Sequence, residues 1–385
     1  MDVTSIFGND YTEFCETDPY NIHNQVSGYI CRKQSNLYGA LLIEKINNKP
    51  VTQQLIMCTP KMHYPFDSRE DGTRKYFFPS AKSIDVYEKL DGTNILAYFY
   101  YDDNGNRFLS FKTRLRPFLG SGTFGDFFNM FNEVAKDKFN AIKRIMIHTK
   151  CNLSFELYGA RNPHLIMYSN SLNFALLFGV TGNGNILSPN DLSVLVDGYS
   201  DVKFSDIPVV SKISSITRDY IYNYEILQKE LEIGLIKQEG EYYSGKEGTV
   251  WYFKTIDNIT VQYKCKPETI EMIHFSAGAG GLCKNSVLAT CWNALENVDT
   301  LTIDIVKKLL IEEFKPEIVE SKHNLINECI SYVQKEAEFR HSVISDYKNI
   351  GINILLDKRT VMREMSKKYP SEKMGKVYSI INNLS

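Results

Sequence analysis

Up to Pro267 the chain alternates short strand-forming runs with turn signals, and beyond it the apolar period becomes that of a helix, so no all-α or all-β architecture accommodates both parts. The strand-like runs are 39–46, 52–57, 83–89, 94–101, 107–113, 152–159, 173–180, 249–254 and 258–265, rich in Tyr, Phe, Val and Ile. Two of them flank Asp103-Asn104-Gly105-Asn106. Asn-Gly tolerates the positive φ of a tight turn, which predicts an antiparallel hairpin of 94–101 with 107–113. Helical periodicity over 125–147 and 216–236 falls between strands, as excursions from the sheet. The sum is an α+β chain, not a βαβ ladder.

After Pro267 and the glycine cluster Ala277-Gly278-Ala279-Gly280-Gly281, apolar residues recur at three and four spacing through 303–314, 324–339 and 373–384. This predicts one unit over 1–275, whose first 80 residues are an N-terminal extension, and an all-helical C-terminal domain over 276–385. The last stretch carries seven basic residues, Arg363, Lys367 and Lys368 among them, against Glu364 and Glu372. It reads either as a solvated helix face or as a surface for a phosphate backbone.

Composition excludes several classes. With 43% hydrophobic and 23% charged residues the chain is neither disordered nor a coiled-coil rod. No apolar run approaches the ~20 residues of a membrane span, and the N-terminus lacks the layout of a signal peptide. A cytoplasmic protein with no membrane partner is expected. The eight cysteines form no C-x-x-C pair and read as buried thiols of a reducing compartment. Because the formal net charge is only −2, a polyanion would need a local basic surface.

The chemistry-bearing segments follow one another along the strands. Glu88-Lys89-Leu90-Asp91-Gly92-Thr93-Asn94 sets an amine at a strand end with a carboxylate and a turn-forming glycine behind it. In 152–159, alternation turns Leu153, Phe155 and Leu157 one way and Glu156 the other. Glu247 stands just before a hydrophobic strand. Lys264 and Lys266, two positions apart on one strand face, repel each other unless an anion lies between or opposite them, and phosphate is the obvious candidate.

The order K-L-D-G-T-N, F-E-L-Y-G, L-N-F-A-L-L-F-G, E-G-T-V and Y-K-C-K-P resembles motifs I, III, IIIa, IV and V of the covalent nucleotidyltransferases, the polynucleotide ligases and capping enzymes, over 87–267. Upstream, 58–66 is similar to the R-P-M-x-K-F-F segment of phage-type RNA ligases, with Thr59 in place of the arginine. DNA ligases and capping enzymes continue into an OB-fold barrel. The helical tail here is closer to phage-type RNA ligases.

The resemblance implies an ATP-grasp-like ligase core of antiparallel sheets with helices, and an ATP-dependent RNA ligase as the activity. Lys89 would attack the α-phosphate of ATP, AMP would pass to an RNA 5′-phosphate, and a 3′-hydroxyl would displace it. Lys264, Lys266 and a bound Mg²⁺ or Mn²⁺ would keep the lysine neutral, since an ordinary lysine is protonated at pH 7. Glu247 would hold the metal and Glu156 the ribose hydroxyls. Phe174 or Phe178 would stack on adenine, with Phe174 favoured. Glu88, Asp91, Asn94 and Arg114 complete the nucleotide site, Arg114 resembling the motif Ia arginine, whereas most DNA ligases carry Arg in place of Asn94. Lys61, Arg116, Arg363, Lys367 and Lys368 would contact RNA. The partner is RNA with 5′-phosphate and 3′-hydroxyl ends, and an end-healing kinase or phosphatase could reside on another protein.

Two other readings stand beside this one: a ligase of DNA or mixed nicks, and an RNA-binding module without catalysis. The G-x-G-x-x-G match at 120–125 lacks a βαβ context, Gly245-Lys246 lacks the spaced glycine of a P-loop, and no His/Cys set has zinc-finger spacing.

Overall fold

The structure, a computed structural model, describes residues 2–33, 35–68, 73–120, 126–238, 242–275, 282, 284–311, 314 and 316–384. The glycine cluster taken as the domain boundary lies outside them, as does the G-x-G-x-x-G stretch after Gly120.

An N-terminal meander of β1 (Tyr11–Thr17), β2 (Gln25–Cys31), β3 (Leu41–Ile46) and β4 (Lys49–Ile56) forms an antiparallel sheet in sequence order. Its apolar face, Phe14, Val26, Ile30, Leu41 and Ile43, packs on Tyr98, Tyr100 and Phe118 of the core. The first 80 residues are therefore built onto the core rather than appended to it. The short hairpin β5 (Phe66–Ser68) and β6 (Arg74–Tyr76) follows.

The core is two facing sheets. Its strands are β7 (Ala81–Lys89), β8 (Thr93–Tyr101), β9 (Arg107–Lys112), β10 (Cys151–Tyr158), β11 (Asn173–Thr181), β12 (Ile186–Leu187) and β13 (Lys212–Ile216). After a short antiparallel pair of two-residue strands, β14 (Ile236–Lys237) and β15 (Tyr243–Ser244), come β16 (Gly248–Thr255) and β17 (Thr260–Cys265). One sheet has the order β12-β11-β10-β8-β9 and the other β13-β7-β16-β17. Their pairings are antiparallel throughout.

Tyr87, Val250 and Tyr252 of one sheet meet Leu96, Phe178 and Val180 of the other in a shared apolar layer. The outer face of the β8 sheet is covered by helices Phe127–Ala135, Phe139–Thr149 and Pro189–Val196. That of the β7 sheet is covered by helix Tyr220–Ile233 through Tyr224 and Leu231. The expected β8–β9 hairpin forms. Its turn is organised by the Asp102 carboxylate, which accepts from the backbone N–H of Asn104 (3.0 Å) and Asn106 (2.8 Å), while Gly105 takes φ 78°.

Past Phe275 every described regular element is helical. Helices Lys284–Leu295, Ile303–Ile311 and Pro316–Ser321 pack on the first half of the long helix His323–Ile350, and its second half packs with Lys358–Ser366 and Met374–Asn382. This helical part returns to the sheets. Arg116 pairs with Asp299 at 2.8 Å, and the Leu115 N–H donates to Asn297 Oδ1 at 3.0 Å. No described helix is long and apolar enough to cross a membrane.

Candidate active site

Strand register explains how motifs far apart in sequence converge. In β7–β16, Lys89 lies opposite Gly248; in β16–β17, Thr249 lies opposite Cys265. The residues just outside these pairs, Glu247 and Lys266, therefore arrive beside Lys89. Each oxygen of the Glu247 carboxylate accepts from one lysine, Oε2 from Lys89 Nζ at 2.6 Å and Oε1 from Lys266 Nζ at 2.6 Å. The Glu247 side chain is 4% exposed, Lys266 7% and Lys89 17%. The triad is thus a desolvated ionic cluster whose least covered member is Lys89.

The triad borders a cleft of 2210 Å³, also lined by Asp91, Asn94, Glu156, Phe178 and Lys264. Glu156 and Asn94 are register partners across β10 and β8, so alternation points both to one face, as the sequence predicts for Glu156. Lys264 and Lys266 share the cleft face, with Cys265 turned into the core behind them. Lys264 Nζ lies 4.3 Å from the centre of the Tyr64 ring, a cation–π arrangement. Lys61 and Arg114 line the cleft too.

The electrostatics are set by burial against charge. For Glu247, burial pushes the carboxyl up, but the two ammonium groups more than reverse this and leave it at about 2. Burial lowers Lys89, and the carboxylates of Glu247 and Glu156 outweigh it, so the amine is held above the usual lysine value. Lys266 pairs with Glu247 here, and Glu247 favours the charged amine, so neutralising Lys89 as expected calls on the bound metal and Lys264 as well. For Glu156, burial and then repulsion from Glu247, opposed by Lys89, push the carboxyl up to about 8. Asp91 is raised for the same first two reasons.

Glu156 makes stability pH-dependent. The folded chain keeps the proton between the ordinary value of 4.5 and about 8, where the unfolded chain loses it. Stability attributable to this group therefore falls as pH rises through that window. Urea unfolding of Glu156→Gln should show a gain over the wild type that is small near the lower limit and grows toward the upper one. A gain independent of pH would contradict the shift.

Phe174 and Phe178 would share a face under strict alternation. A β-bulge between the Ser154–Phe178 and Phe155–Leu176 pairs inserts Leu177 and reverses the phase. Phe178 consequently faces the cleft, whereas Phe174 turns into the helix-covered core, its ring 5.6 Å from Phe131 and 5.8 Å from Phe155. The preference for Phe174 is thereby corrected. Phe178→Leu should weaken AMP binding by about tenfold in calorimetry if its ring stacks on adenine. Phe174→Leu should leave AMP binding unchanged and cost about 1 kcal/mol in thermal unfolding.

Other expected site residues lie elsewhere. Glu88 alternates with Lys89 to the opposite side of β7 and is 3.8 Å from Lys246, outside the cleft lining. Arg116 is engaged by Asp299. Arg363 is 3.9 Å and Lys367 2.6 Å from Glu364, and Lys368 is 2.5 Å from Asp346; none of the three lines the cleft, so acids already blunt that basic surface. Thr59, in the arginine's place, bonds Ser154 at 3.1 Å.

Several residues outside the motifs support those within them, among them Ile166, Tyr168, Lys112 and Glu296. Asp91 accepts from the Ile166 N–H at 2.7 Å, and its own N–H donates to the Tyr168 hydroxyl at 2.7 Å, so the loop after β10 clamps the turn after Lys89. Gly92 is required there because a Cβ would sit 2.2 Å from the Leu157 carbonyl oxygen. Lys112 is fully buried and donates to the carbonyls of Gly39, Thr113 and Arg114 at 3.0, 2.8 and 2.8 Å. It fixes the backbone that carries Arg114, whose buried Nε has no hydrogen-bond partner among the described residues. Glu296, from the helical part, accepts from the Thr93 hydroxyl at 2.9 Å and lies 3.4 Å from His164.

No protein-family model and no curated protein matches the chain. Among solved structures, an archaeal ATP-dependent RNA ligase is similar at 12% identity and a TM-score of 0.45, covering 89% of this chain and 78% of that one. A protein of Aquifex aeolicus assigned as an ATP-dependent DNA ligase is similar at 15% identity and a TM-score of 0.43, covering 95% and 87%. A variant Naegleria gruberi RNA ligase determined with ATP and Mn is similar at 12% identity and 0.33, covering 70% and 80%. These scores are low, and the functional reading rests on the site's own geometry.

Proposed function

We propose that this chain is an ATP-dependent RNA ligase that joins 5′-phosphate and 3′-hydroxyl ends through a covalent lysyl-AMP. The observation that carries the reading is the convergence of Lys89, Glu247 and Lys266 at the edge of a cleft large enough to hold a nucleotide, with Lys89 the most accessible of the three. Lys89 Nζ attacks the α-phosphorus, the bond to the bridging oxygen breaks, and pyrophosphate leaves. The AMP then passes to an RNA 5′-phosphate oxygen with release of the lysine, and a 3′-hydroxyl displaces AMP to form the phosphodiester.

Lys264, Lys266 and Arg114 are suited to the negative charge that accumulates on the phosphates, where positioning and electrostatics dominate the barrier. Arg114 arrives with an unsatisfied donor. Glu156 suits the ribose hydroxyls, since a carboxyl near its titration point can donate as well as accept, and Phe178 suits the base. Among the described residues no three His, Cys, Asp or Glu side chains form a metal cage. Both Glu247 oxygens are engaged by lysines, so a magnesium or manganese ion held by Glu247 and substrate phosphates would take the place of one of them, and it would supply charge neutralisation at the α-phosphate. RNA is favoured over DNA because helices, not a β-barrel, follow the last core strand.

The test is incubation with ATP labelled at the α-phosphate and magnesium, followed by denaturing electrophoresis. A band labelled from the α but not the γ position is expected, and it should be discharged by RNA with a 5′-phosphate more efficiently than by matched DNA. Absence of a band with ATP, GTP and NAD would overturn the reading.

A further inference from the structure

The cleft that begins at Lys89 continues to the long helix His323–Ile350, and its lining includes Arg161 from the loop after β10 and Arg340 from that helix. These two residues meet across the boundary between core and helical part: Arg340 Nη2 donates to the Arg161 carbonyl oxygen at 3.1 Å. Two guanidinium side chains are thereby brought into one recess. Their counter-charge is thin. Arg161 Nη1 pairs with Glu133 at 2.5 Å, but that carboxylate is 53% exposed, and Arg161 Nε is buried without a hydrogen-bond partner. Arg340 pairs with no carboxylate among the described residues.

Half-buried cations of like sign are unfavourable together unless an anion joins them, and the planar guanidinium fork matches phosphate oxygens. The same lining exposes two large aromatic side chains from the helical part, Trp292 at 40% and Tyr332 at 50%. Cations beside exposed aromatic faces fit a nucleic-acid strand, whose phosphates and bases are satisfied together, better than a free phosphate.

We propose that Arg161 and Arg340 clamp a backbone phosphate of a single-stranded stretch of the polynucleotide substrate, tying the core to the helical part when the strand is bound. This rests on the ligase reading, which places the adenylate at the Lys89 end of the same cleft. The clamp contributes affinity without sequence preference.

The test uses the full chain and a 5′-phosphorylated, 3′-fluorescent RNA 20-mer, with anisotropy titrations at several salt concentrations. Arg340→Gln and Arg161→Gln should each weaken binding about tenfold and flatten the slope of log K against log salt by about 0.7, equally for A-rich and U-rich strands. Arg340→Lys should retain the slope, because it keeps the charge. Melting temperatures check folding; if Arg161→Gln is unstable through loss of Glu133, Arg340→Gln still decides. Unchanged affinity and slope in folded Arg340→Gln, or no strand binding by the wild type, would overturn the clamp. So would loss of lysyl-AMP formation with strand binding intact, which would hand the arginines to the phosphates of ATP. If the wild type forms no lysyl-AMP but Arg340→Gln still weakens strand binding as expected, the ligase reading falls and the clamp stands.

Discussion

Lys89→Ala should take up no AMP from α-labelled ATP, with covalent labelling reduced at least about 10³-fold, as expected when a nucleophile is removed from a site that acts as a unit. Lys89→Arg should fail as well: it keeps the positive charge beside Glu247, but a guanidinium does not lose its proton near neutral pH. The pair separates the nucleophile's chemistry from its charge. Both variants should still melt cooperatively, since Lys266 remains to neutralise Glu247. Glu247 holds the Lys89 proton above the usual lysine value, so the wild-type rate of lysyl-AMP formation should climb with pH across the neutral and mildly alkaline range. A label retained in Lys89→Ala at wild-type intensity would move the nucleophile elsewhere in the cleft.

What could be read in the sequence, and what could not, divides along a physical line. Lys89, Glu156, Glu247 and Lys266 were legible as a group only through the order of the motifs they sit in; each lies at or one residue beyond a strand end or alternates within a strand, and antiparallel pairing preserves that phase and brings them together. Phe174 and Phe178 were not separable, because one bulge reverses the phase between them and nothing in L-N-F-A-L-L-F-G marks it. The strands Tyr11–Thr17 and Gln25–Cys31 escaped the sequence reading for related reasons. The first buries only Phe14, leaving no apolar alternation, and the second contains Gly28, where a Cβ would sit 2.0 Å from the Leu42 carbonyl oxygen. The helical pattern over 125–147 proved to be two helices broken by a 3₁₀ turn at Lys136–Lys138. Glu296 reaches Thr93 from a segment more than 200 residues away, a contact only tertiary packing creates.

Glu247→Gln should have the largest effect on stability. The native carboxylate neutralises two lysines that are themselves largely removed from water, so the amide leaves two buried ammonium groups without the counter-ion that directly bonds both. Breaking a buried pair in this one-sided way costs about 3–5 kcal/mol. The titration of Glu247 points the same way. Its folded value of about 2 lies below the ordinary 4.5, so its contribution is fully present above the ordinary value and is lost as pH falls through the folded one. That interval is worth roughly 3 kcal/mol. Urea unfolding at neutral pH should therefore show the variant far weaker than the wild type, with the difference shrinking as both are acidified. The substitution should also free the nucleophile. With its main carboxylate neighbour gone, burial dominates at Lys89 and the amine loses its proton more easily, so an acylating reagent should modify Lys89 faster in folded Glu247→Gln than in the wild type at the same pH. If Lys89 reacts equally in both, the carboxylate does not hold the proton. If instead stability is unchanged, the two lysines find other counter-charge, and the triad is not the cluster on which this corner of the fold depends.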